Sequence, residues 1–295
     1  MQLINTPQSI AELTPLNPFG RLEDGRPHVP DELLERLRLY ATTEHAWAVL
    51  EGRGYFHQHE GGWVKTNGDR VLVGRAVTAQ FVPNRPDLNE QVEAAARREG
   101  LLHGPGGQTQ NSRGEGGQKQ NVWVIDRLQK GDVMVIDMFE KVYKGPFLGD
   151  NLATAIAHRT GAGAVINGTV RDLRGISRIG NLQIFCRGLH PSAIREAILI
   201  GMNGPLRIGE AIVLPGDIVL GDDSGVFFIP PHLVMEVVEW AEERNLKDQF
   251  AVESLAQGRY KADQIDKGWS AQIERDYEQW RNEGNRMVQP TALLK

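Results

Sequence analysis

The sequence predicts an α/β protein with a mostly parallel sheet, a β-rich lobe and a helical C-terminal extension. Between residues 131 and 188, short apolar runs alternate with amphipathic runs of about three helical turns, which is typical of βαβ units. The region 206–230 has the pattern of three short strands divided by Pro-Gly-Asp and Asp-Asp-Ser-Gly turns. Residues 231–281 are polar and charged with a helical pattern.

The N-terminal part of the chain has less regular patterning. Residues 1–30 are rich in proline and lack periodicity, so we expect an irregular arm over the surface. A helix is predicted from Asp31, whose side chain would cap it, to Gly52, with a break at Thr42 and Thr43. The further predicted elements are one or two strands over 70–83, a helix over 89–100, a Gly/Gln-rich loop over 100–120, a strand over 131–139, a helix over 148–161, a strand over 162–168, a short helix over 171–180 and a strand over 181–188.

These patterns divide the chain into three regions. We expect an irregular arm over 1–30, a central domain over 31–240 and a helical extension over 241–295. Trp240, Trp269 and Trp280 are the expected anchors of the helical tail, either in its core or against a neighbouring subunit.

The composition limits the classes of partner. The formal net charge is −5 and the charged fraction is 24%, so the basic surface that phosphate-backbone binding requires is not expected. No run approaches the ~20 apolar residues of a membrane span, and the first residues lack a basic and then apolar pattern. Cys186 is the one cysteine, so an internal disulfide is excluded and a cytoplasmic location is the natural expectation. Cys186 ends an apolar run, which favours buried packing.

The first candidate site is the segment from Gly145 to Ala153, where a glycine-containing loop becomes the start of a helix. Free N–H groups and the positive end of the helix dipole collect at such a start, which favours binding of a carboxylate or phosphate. The alternative is that Asp150 or Asn151 only caps the helix.

The second candidate site is the pair Arg171 and Asp172, at the exit of the strand 162–168. Ligands of open α/β sheets bind beyond the carboxyl ends of the strands, so both candidates should lie at the functional edge. A guanidinium can hold an oxyanion, and a carboxylate can hold a hard cation directly or through water. The alternative is an ordinary surface pair, with Asp172 as a helix cap.

Several segments together resemble a known family. They are GRAVTAQ at 74–80, GDVMVID at 131–137, GDNLATA at 149–155, AVINGTVRD at 164–172 and PGDIVLGDDSGVFFIP at 215–230. The series resembles the HMG aldolase family, which includes 4-hydroxy-4-methyl-2-oxoglutarate aldolases and RraA-type regulators of ribonuclease activity. The most specific element is an Asp separated by 20 residues from an Arg-Asp pair, as Asp150 is from Arg171 and Asp172.

The resemblance implies a fold, an assembly and a chemistry. The implied fold is a three-layer α/β/α swivelling-type domain, assembled as trimers or hexamers with sites at subunit interfaces. The implied reaction is cleavage of a 4-hydroxy-2-oxo acid to pyruvate through a metal-stabilised enolate, with oxaloacetate decarboxylation as a side activity. Asp172 would hold Mg²⁺ or Mn²⁺ largely through waters, and Asp150 would bind those waters. Arg171 would steady the C2 oxygen, and the backbone at Gly149, Asn151 and Leu152 would bind the carboxylate.

The sequence departs from the family pattern in two places. Relatives usually carry an acidic residue three positions after the Arg-Asp pair, where this chain has Gly175. Relatives often have a glycine-rich stretch where this chain has 137–144, with Glu140, Lys141 and Lys144. Those side chains could narrow the pocket, add an acid or base, form a Schiff base, or belong to a solvated loop.

Weaker candidates are better explained by structure than by chemistry. The run His57 to Glu60 resembles a metal-ligand cluster but lacks a distant partner, so a polar turn is favoured. Residues 222–225 are expected to form a turn. His158 is expected to be packed or on the surface.

Three functions therefore stay open from the sequence. The first is the metal-dependent carbon–carbon lyase. The second is another enolate-forming lyase or a hydro-lyase acting on a sugar acid, which only Glu140 and Lys141 support. The third is a non-catalytic regulator that binds a protein partner, which would have no need for Asp150, Arg171 and Asp172 together.

Overall fold

A computed structural model describes residues 1–101 and 119–283. The Gly/Gln-rich loop predicted over 100–120 lies mostly outside the described residues. The helices are α1 (Pro7–Leu13), α2 (Asp31–Tyr40), α3 (Thr43–Gly52), α4 (Pro86–Arg98), α5 (Gln120–Ile125), α6 (Asp150–Thr160), α7 (Leu173–Ile176), α8 (Val234–Ala256), α9 (Ala262–Ile265) and α10 (Ala271–Glu283). The strands are β1 (His59–Glu60), β2 (Val64–Lys65), β3 (Leu72–Pro83), β4 (Asp132–Asp137), β5 (Gly163–Val170), β6 (Gln183–Leu189), β7 (Ala197–Met202), β8 (Leu206–Ile208), β9 (Ala211–Val213), β10 (Ile218–Asp222) and β11 (Gly225–Ile229).

The main sheet is mixed, with a parallel centre. Its strand order is β1-β11-β10-β3-β4-β5-β6-β2, and β7 pairs with the second half of β3. The neighbours β3, β4, β5 and β6 are parallel, as the alternation of strands and helices predicts. The pairs β10–β3, β10–β11, β7–β3 and β2–β6 are antiparallel.

The two faces of the sheet are covered by different elements. On one face of the sheet, side chains such as Val77, Met134 and Ile166 pack against α4, α5 and α6. Further along the same face, Val73 and Leu220 pack against α2, α3 and α8. Side chains of the opposite face pack against the β8–β9 hairpin. The α/β class and the helical C-terminal extension are therefore confirmed, and the β-rich lobe forms one of the outer layers.

The predicted break in the first long helical stretch is present. The chain leaves α2 at Ala41, and Thr42 begins α3 by accepting a hydrogen bond from the backbone N–H of His45. The cap predicted at Asp31 is wrong, because Pro30 occupies that position. Asp31 is the first helical residue, and its carboxylate instead accepts a hydrogen bond from Arg75 at 2.9 Å.

The N-terminal arm is more ordered than its composition suggests. It contains the helix α1, which Thr6 caps through its side chain. Arg26 is fully buried and donates to both carboxylate oxygens of Asp132, at 2.8 and 3.1 Å. Asp132 begins β4 and is also fully buried. The arm is therefore held against the core by an ion pair that spans 106 positions of sequence.

Two further differences concern strands. The region 206–230 forms four strands rather than three, because residues 206–213 fold back as the β8–β9 hairpin. Strand β7 was not predicted. Its continuous apolar run lacks the alternation of a half-buried strand, although Asn203, Gly204 and Pro205 directly after it indicate a turn.

The helical extension has its own apolar cluster. Phe250 is fully buried and contacts the rings of Tyr260, Trp269, Tyr277 and Trp280. Trp269 and Trp280 are therefore anchors, as predicted. Among the residues that the structure describes, Trp240 is not packed as an anchor, because it is 48% exposed.

The length and polarity of the helices bear on whether any of them could span a membrane. Across residues 1–101 and 119–283, every helix is too short or too polar to cross a bilayer.

Candidate functional site

The loop between β4 and α6 brings the two candidate segments together. The backbone N–H of Phe147 donates to Thr169 O at 2.8 Å, and the N–H of Arg171 donates to Leu148 O at 3.0 Å. The loop thus runs beside the end of β5 as an additional strand-like segment. This pairing places Gly149, and with it the start of α6, next to Arg171.

The carboxylates of Asp150 and Asp172 both pack against glycine backbone. An ideal Cβ built on Gly149 would lie 2.3 Å from Asp172 Oδ2, and one built on Gly175 would lie 2.6 Å from Asp150 Oδ2. Arg171 Nε lies 3.3 Å from Asp172 Oδ2. The structure therefore brings all three predicted residues to one place, at the carboxyl edge of the parallel strands.

Neither aspartate serves as a helix cap through its side chain. Gly149 is the N-cap of α6, and Asp150 Oδ1 accepts a local hydrogen bond from Asn151 N, at 2.9 Å. Asp172 lies at the N-cap position of α7 but makes no side-chain capping bond. Its backbone is left-handed, with φ of 58°, a conformation that non-glycine residues adopt rarely and that is concentrated at functional sites.

A cavity of about 300 Å³ opens at this position. Gly149, Asp150, Asn151, Leu152 and Arg171 all contribute to its wall. Arg171 and Asp172 are close to half-exposed, so both can reach a bound molecule. The volume is at the lower end of the ~300–1,000 Å³ that is usual for small-molecule sites.

The start of α6 offers backbone donors to this cavity. The first intrahelical bond runs from Ala153 N to Gly149 O. The N–H groups of the residues before it precede the helical ladder, and the helix dipole adds partial positive charge there. An anion in the cavity would therefore meet N–H groups and the Arg171 guanidinium.

Gly175 has a structural explanation. The Cβ position of Gly175 lies 2.7 Å from the Cβ of Asp150, a distance that real side chains do not tolerate. The acidic side chain usual in relatives at this position would collide with Asp150 as it is placed here. The space beside α7 is occupied by Asp150 instead.

Among the described residues, the segment 137–144 does not line this cavity, so the alternative that it narrows the pocket gains no support and the alternative of a solvated loop is favoured. Lys144 forms an ion pair with Glu196, and this hydrogen bond raises the pKa of Lys144. A lysine with a raised pKa is protonated at neutral pH, so it is a poor Schiff-base nucleophile. Lys141 lies 5.8 Å from the centre of the Phe139 ring, and Glu140 is exposed.

The weaker candidates are structural. His59 and Glu60 form strand β1 rather than a turn, and Glu60 pairs with Arg187 at 2.5 Å. Residues 222–225 form the predicted turn between β10 and β11. His158 is exposed on α6. Cys186 is buried, and burial raises the pKa of its thiol to about 11, so the unreactive packing role is confirmed.

Sequence reasoning missed part of the cavity wall. Lys119 and Asn121 reach it from the start of α5, and Ile194 reaches it from the segment after β6. Asn121 donates to Phe147 O at 2.7 Å and so supports the loop that leads to Gly149. No periodicity or spacing in the sequence connects these residues with Asp150.

The donor set fits a hydrated divalent cation. Asp150 and Asp172 supply hard carboxylate oxygens, which Mg²⁺ and Mn²⁺ prefer. In the part of the chain that the structure describes, no group of three or more His, Cys, Asp or Glu side chains is placed to hold a metal ion. Mg²⁺ is commonly held by one or two carboxylates with several waters, and these residues match that pattern.

Known proteins resemble part of this chain in sequence. A "Putative 4-hydroxy-4-methyl-2-oxoglutarate aldolase" from Halalkalibacterium halodurans is 32% identical over 120 residues, which are 40% of this chain and 56% of the relative. "Protein DlpA" from Legionella pneumophila is 30% identical over 135 residues, which are 45% of this chain and 22% of that protein. The matches thus span about half or less of these relatives' length.

Two solved structures share the fold. An uncharacterized protein from Pseudomonas syringae pv. tomato aligns with a TM-score of 0.61 at 21% identity, covering 81% of this chain and 98% of that one. Streptomyces coelicolor RraAS2, described as an unusual member of the RNase ES inhibitor RraA protein family, aligns with a TM-score of 0.59 at 24% identity, covering 79% and 98%.

The family model described as Aldolase/RraA matches residues 48–228, a range that includes β1 to β10, most of β11, and Asp150, Arg171 and Asp172. The chain therefore belongs to the RraA-like family.

Proposed function

We propose that the chain is a divalent-metal-dependent lyase that cleaves a 4-hydroxy-2-oxo acid to pyruvate and a second carbonyl compound. The observation that carries this proposal is that Asp150 and Arg171 line the cavity at the start of α6, with Asp172 Oδ2 3.3 Å from Arg171 Nε beside it. Relatives named as aldolases support the same chemistry. Decarboxylation of oxaloacetate is the expected side activity, since it passes through the same enolate.

Each residue has a role in this proposal. The N–H group at Leu152 binds the substrate carboxylate, together with that at Asn151 once the substrate displaces Asp150 Oδ1 from it. Arg171 donates hydrogen bonds to the C2 oxygen. Asp172 would hold Mg²⁺ or Mn²⁺ largely through waters, and Asp150 would bind those waters. When bound, the cation supplies Lewis-acid stabilisation of the negative charge that develops on the C2 oxygen.

The bond changes follow from the substrate. The proton of the C4 hydroxyl leaves, the C3–C4 bond breaks, and its electron pair becomes the enolate of pyruvate, which then takes a proton at C3. Arg171 stabilises charge that grows on the C2 oxygen in the transition state and therefore lowers the barrier. Asp150 is the carboxylate of the cavity wall that can hold the water through which a proton moves.

The alternatives have less support from the site. A hydro-lyase reaction relied on Glu140 and Lys141, and neither side chain lines the cavity. A purely regulatory role does not use the cluster of Asp150, Arg171 and Asp172, and it predicts that Arg171→Ala has no biological effect. Assembly into trimers or hexamers with sites between subunits is part of the proposal.

The test is pyruvate release from 4-hydroxy-4-methyl-2-oxoglutarate and shorter 4-hydroxy-2-oxo acids, with Mg²⁺, Mn²⁺ or EDTA. Arg171→Ala should reduce kcat by about 10²–10³-fold, as loss of one oxyanion donor does. Arg174→Ala is the matched control, because Arg174 is exposed on the neighbouring helix α7 and does not line the cavity. Absence of pyruvate from every substrate with either metal would falsify the proposal.

A further inference from the structure

A second cavity, of about 330 Å³, shares no lining residue with the first. Its wall is formed by the arm at 13–17, by Tyr55 and Gln58, by the segment 212–217, and by residues 230–232. The arm and residues 230–232 lie outside the range that the family model matches. Pro15, Pro230 and Pro231 stiffen the wall, because each proline ring fixes its backbone φ angle.

Asp217 is the acidic group in this wall. It is 3% exposed, and its Oδ2 accepts a hydrogen bond from Leu214 N at 2.7 Å. Within residues 1–101 and 119–283, no donor reaches its Oδ1. Burial raises the pKa of Asp217 to about 7. Burying an ionised carboxylate that has a single neutral hydrogen-bond donor costs free energy, and a bound cation would offset that cost.

The rest of the wall suits an apolar body. Leu13, Ile212 and Leu214 contribute aliphatic surface. The rings of Tyr55 and His232 are 6.0 Å apart, and Tyr55 Oη lies 3.1 Å from His232 Nε2. Burial lowers the pKa of His232, so its ring is neutral at pH 7 and supplies no positive charge to the cavity.

We propose that this second cavity binds a small organic ammonium ion with an apolar body, whose charged nitrogen pairs with Asp217. The cavity volume is at the lower end of the usual range, so it admits a body of about one ring. The aromatic wall adds attraction for a cation, because ring faces carry negative charge density. This site is independent of the proposed lyase activity.

The probe is 2-phenylethylamine, with 2-phenylethanol and phenylacetate as isosteric neutral and anionic controls. Binding is measured by isothermal titration calorimetry on the full chain at pH 8, where Asp217 is ionised and the amine is protonated. We expect saturable binding of the amine, at least tenfold weaker binding of the alcohol, and no binding of phenylacetate.

The decisive variant is Asp217→Asn, which keeps an oxygen to accept from Leu214 N but removes the charge. It should weaken amine binding at least tenfold, whereas the control Asp69→Asn, in a different cavity, should bind as wild type does. Ile212→Trp fills the cavity from an exposed position on β9 and should weaken binding of the amine as well. If Asp217→Asn does not fold, Ile212→Trp alone decides the outcome.

The proposal is overturned if the amine does not saturate, or if the alcohol binds as tightly as the amine. It is equally overturned if a folded Asp217→Asn, or Ile212→Trp, leaves the amine affinity unchanged. None of these readouts uses pyruvate release, so failure here and failure of the proposed lyase function are distinguishable.

Discussion

Replacing Arg26 by Met is expected to destabilise the fold by several kcal/mol, although Arg26 lies in the N-terminal arm, 106 positions from its partner Asp132. Arg26 is fully buried, and its guanidinium donates to both oxygens of Asp132 and to Asp24 Oδ2 at 2.6 Å. Met keeps much of the volume and removes the charge. Asp132, which is also fully buried, then loses its charged partner.

The magnitude follows from the burial of both partners. Removal of one member of a buried ion pair typically costs about 3–5 kcal/mol, because an uncompensated charge stays in a low-dielectric interior. Each kcal/mol lowers the Tm of a protein of this size by roughly 2–4 °C. We therefore expect the Tm of Arg26→Met to fall by on the order of 10 °C.

The matched control is an exposed pair of similar geometry. Arg85 donates to both oxygens of Asp87 at 2.8 Å, and both side chains are largely exposed. Arg85→Met should therefore leave the free energy of unfolding close to that of the wild type, because solvent screens an exposed ion pair. The double variant Arg26→Met with Asp132→Asn should recover much of the loss, because no buried charge is left unpaired.

Urea denaturation followed by tryptophan fluorescence, with a parallel thermal scan, measures these differences. If Arg26→Met loses no more stability than Arg85→Met, the buried ion pair does not stabilise the fold as proposed. If adding Asp132→Asn lowers the free energy of unfolding further, the destabilisation of Arg26→Met does not come from an uncompensated carboxylate.

Three further outcomes are expected. Gly175→Ala places a Cβ against Asp150 and should lower kcat/KM for pyruvate release about 10²-fold. The control Gly180→Ala has open space around its Cβ position, so its kcat/KM should stay within about twofold of the wild-type value. Burial raises the pKa of Asp217 from 3.8 to about 7 in the fold. The wild-type protein should therefore lose stability as the pH rises through this range, because the buried carboxyl group must ionise. In denaturation curves, the free energy of unfolding of Asp217→Asn should accordingly increase relative to that of the wild type between pH 4 and pH 8. Phe250→Ala empties the centre of the aromatic cluster and should cost about 3–5 kcal/mol in the helical extension, measured as earlier loss of helical circular dichroism in urea.

The order of strands and helices could largely be read from the chain. Local periodicity, turn residues and caps act over a few positions, so β4, α6, β5 and the break at Thr42 were predictable. The same patterns placed Asp150 and the pair Arg171–Asp172 at the ends of neighbouring elements. Their roles in catalysis stay a prediction, which the lyase assay tests.

Other features depend on partners that are distant in the sequence. Strand β7 forms because the second half of β3 offers it an antiparallel edge, and its own residues do not distinguish a strand from another buried segment. The arm appeared irregular because the partner of Arg26 lies 106 positions away.

The sequence by itself determined the fold class, the family resemblance and the residues that carry the proposed chemistry, because these follow from short-range patterns and spacing. Only the tertiary structure decided that Asp150 fills the space beside Gly175, that 137–144 stays off the cavity, and that Asp217 lines a second one. The physical reason is that burial, steric exclusion and unpaired charge are properties of atoms brought together by folding, and no local pattern encodes them.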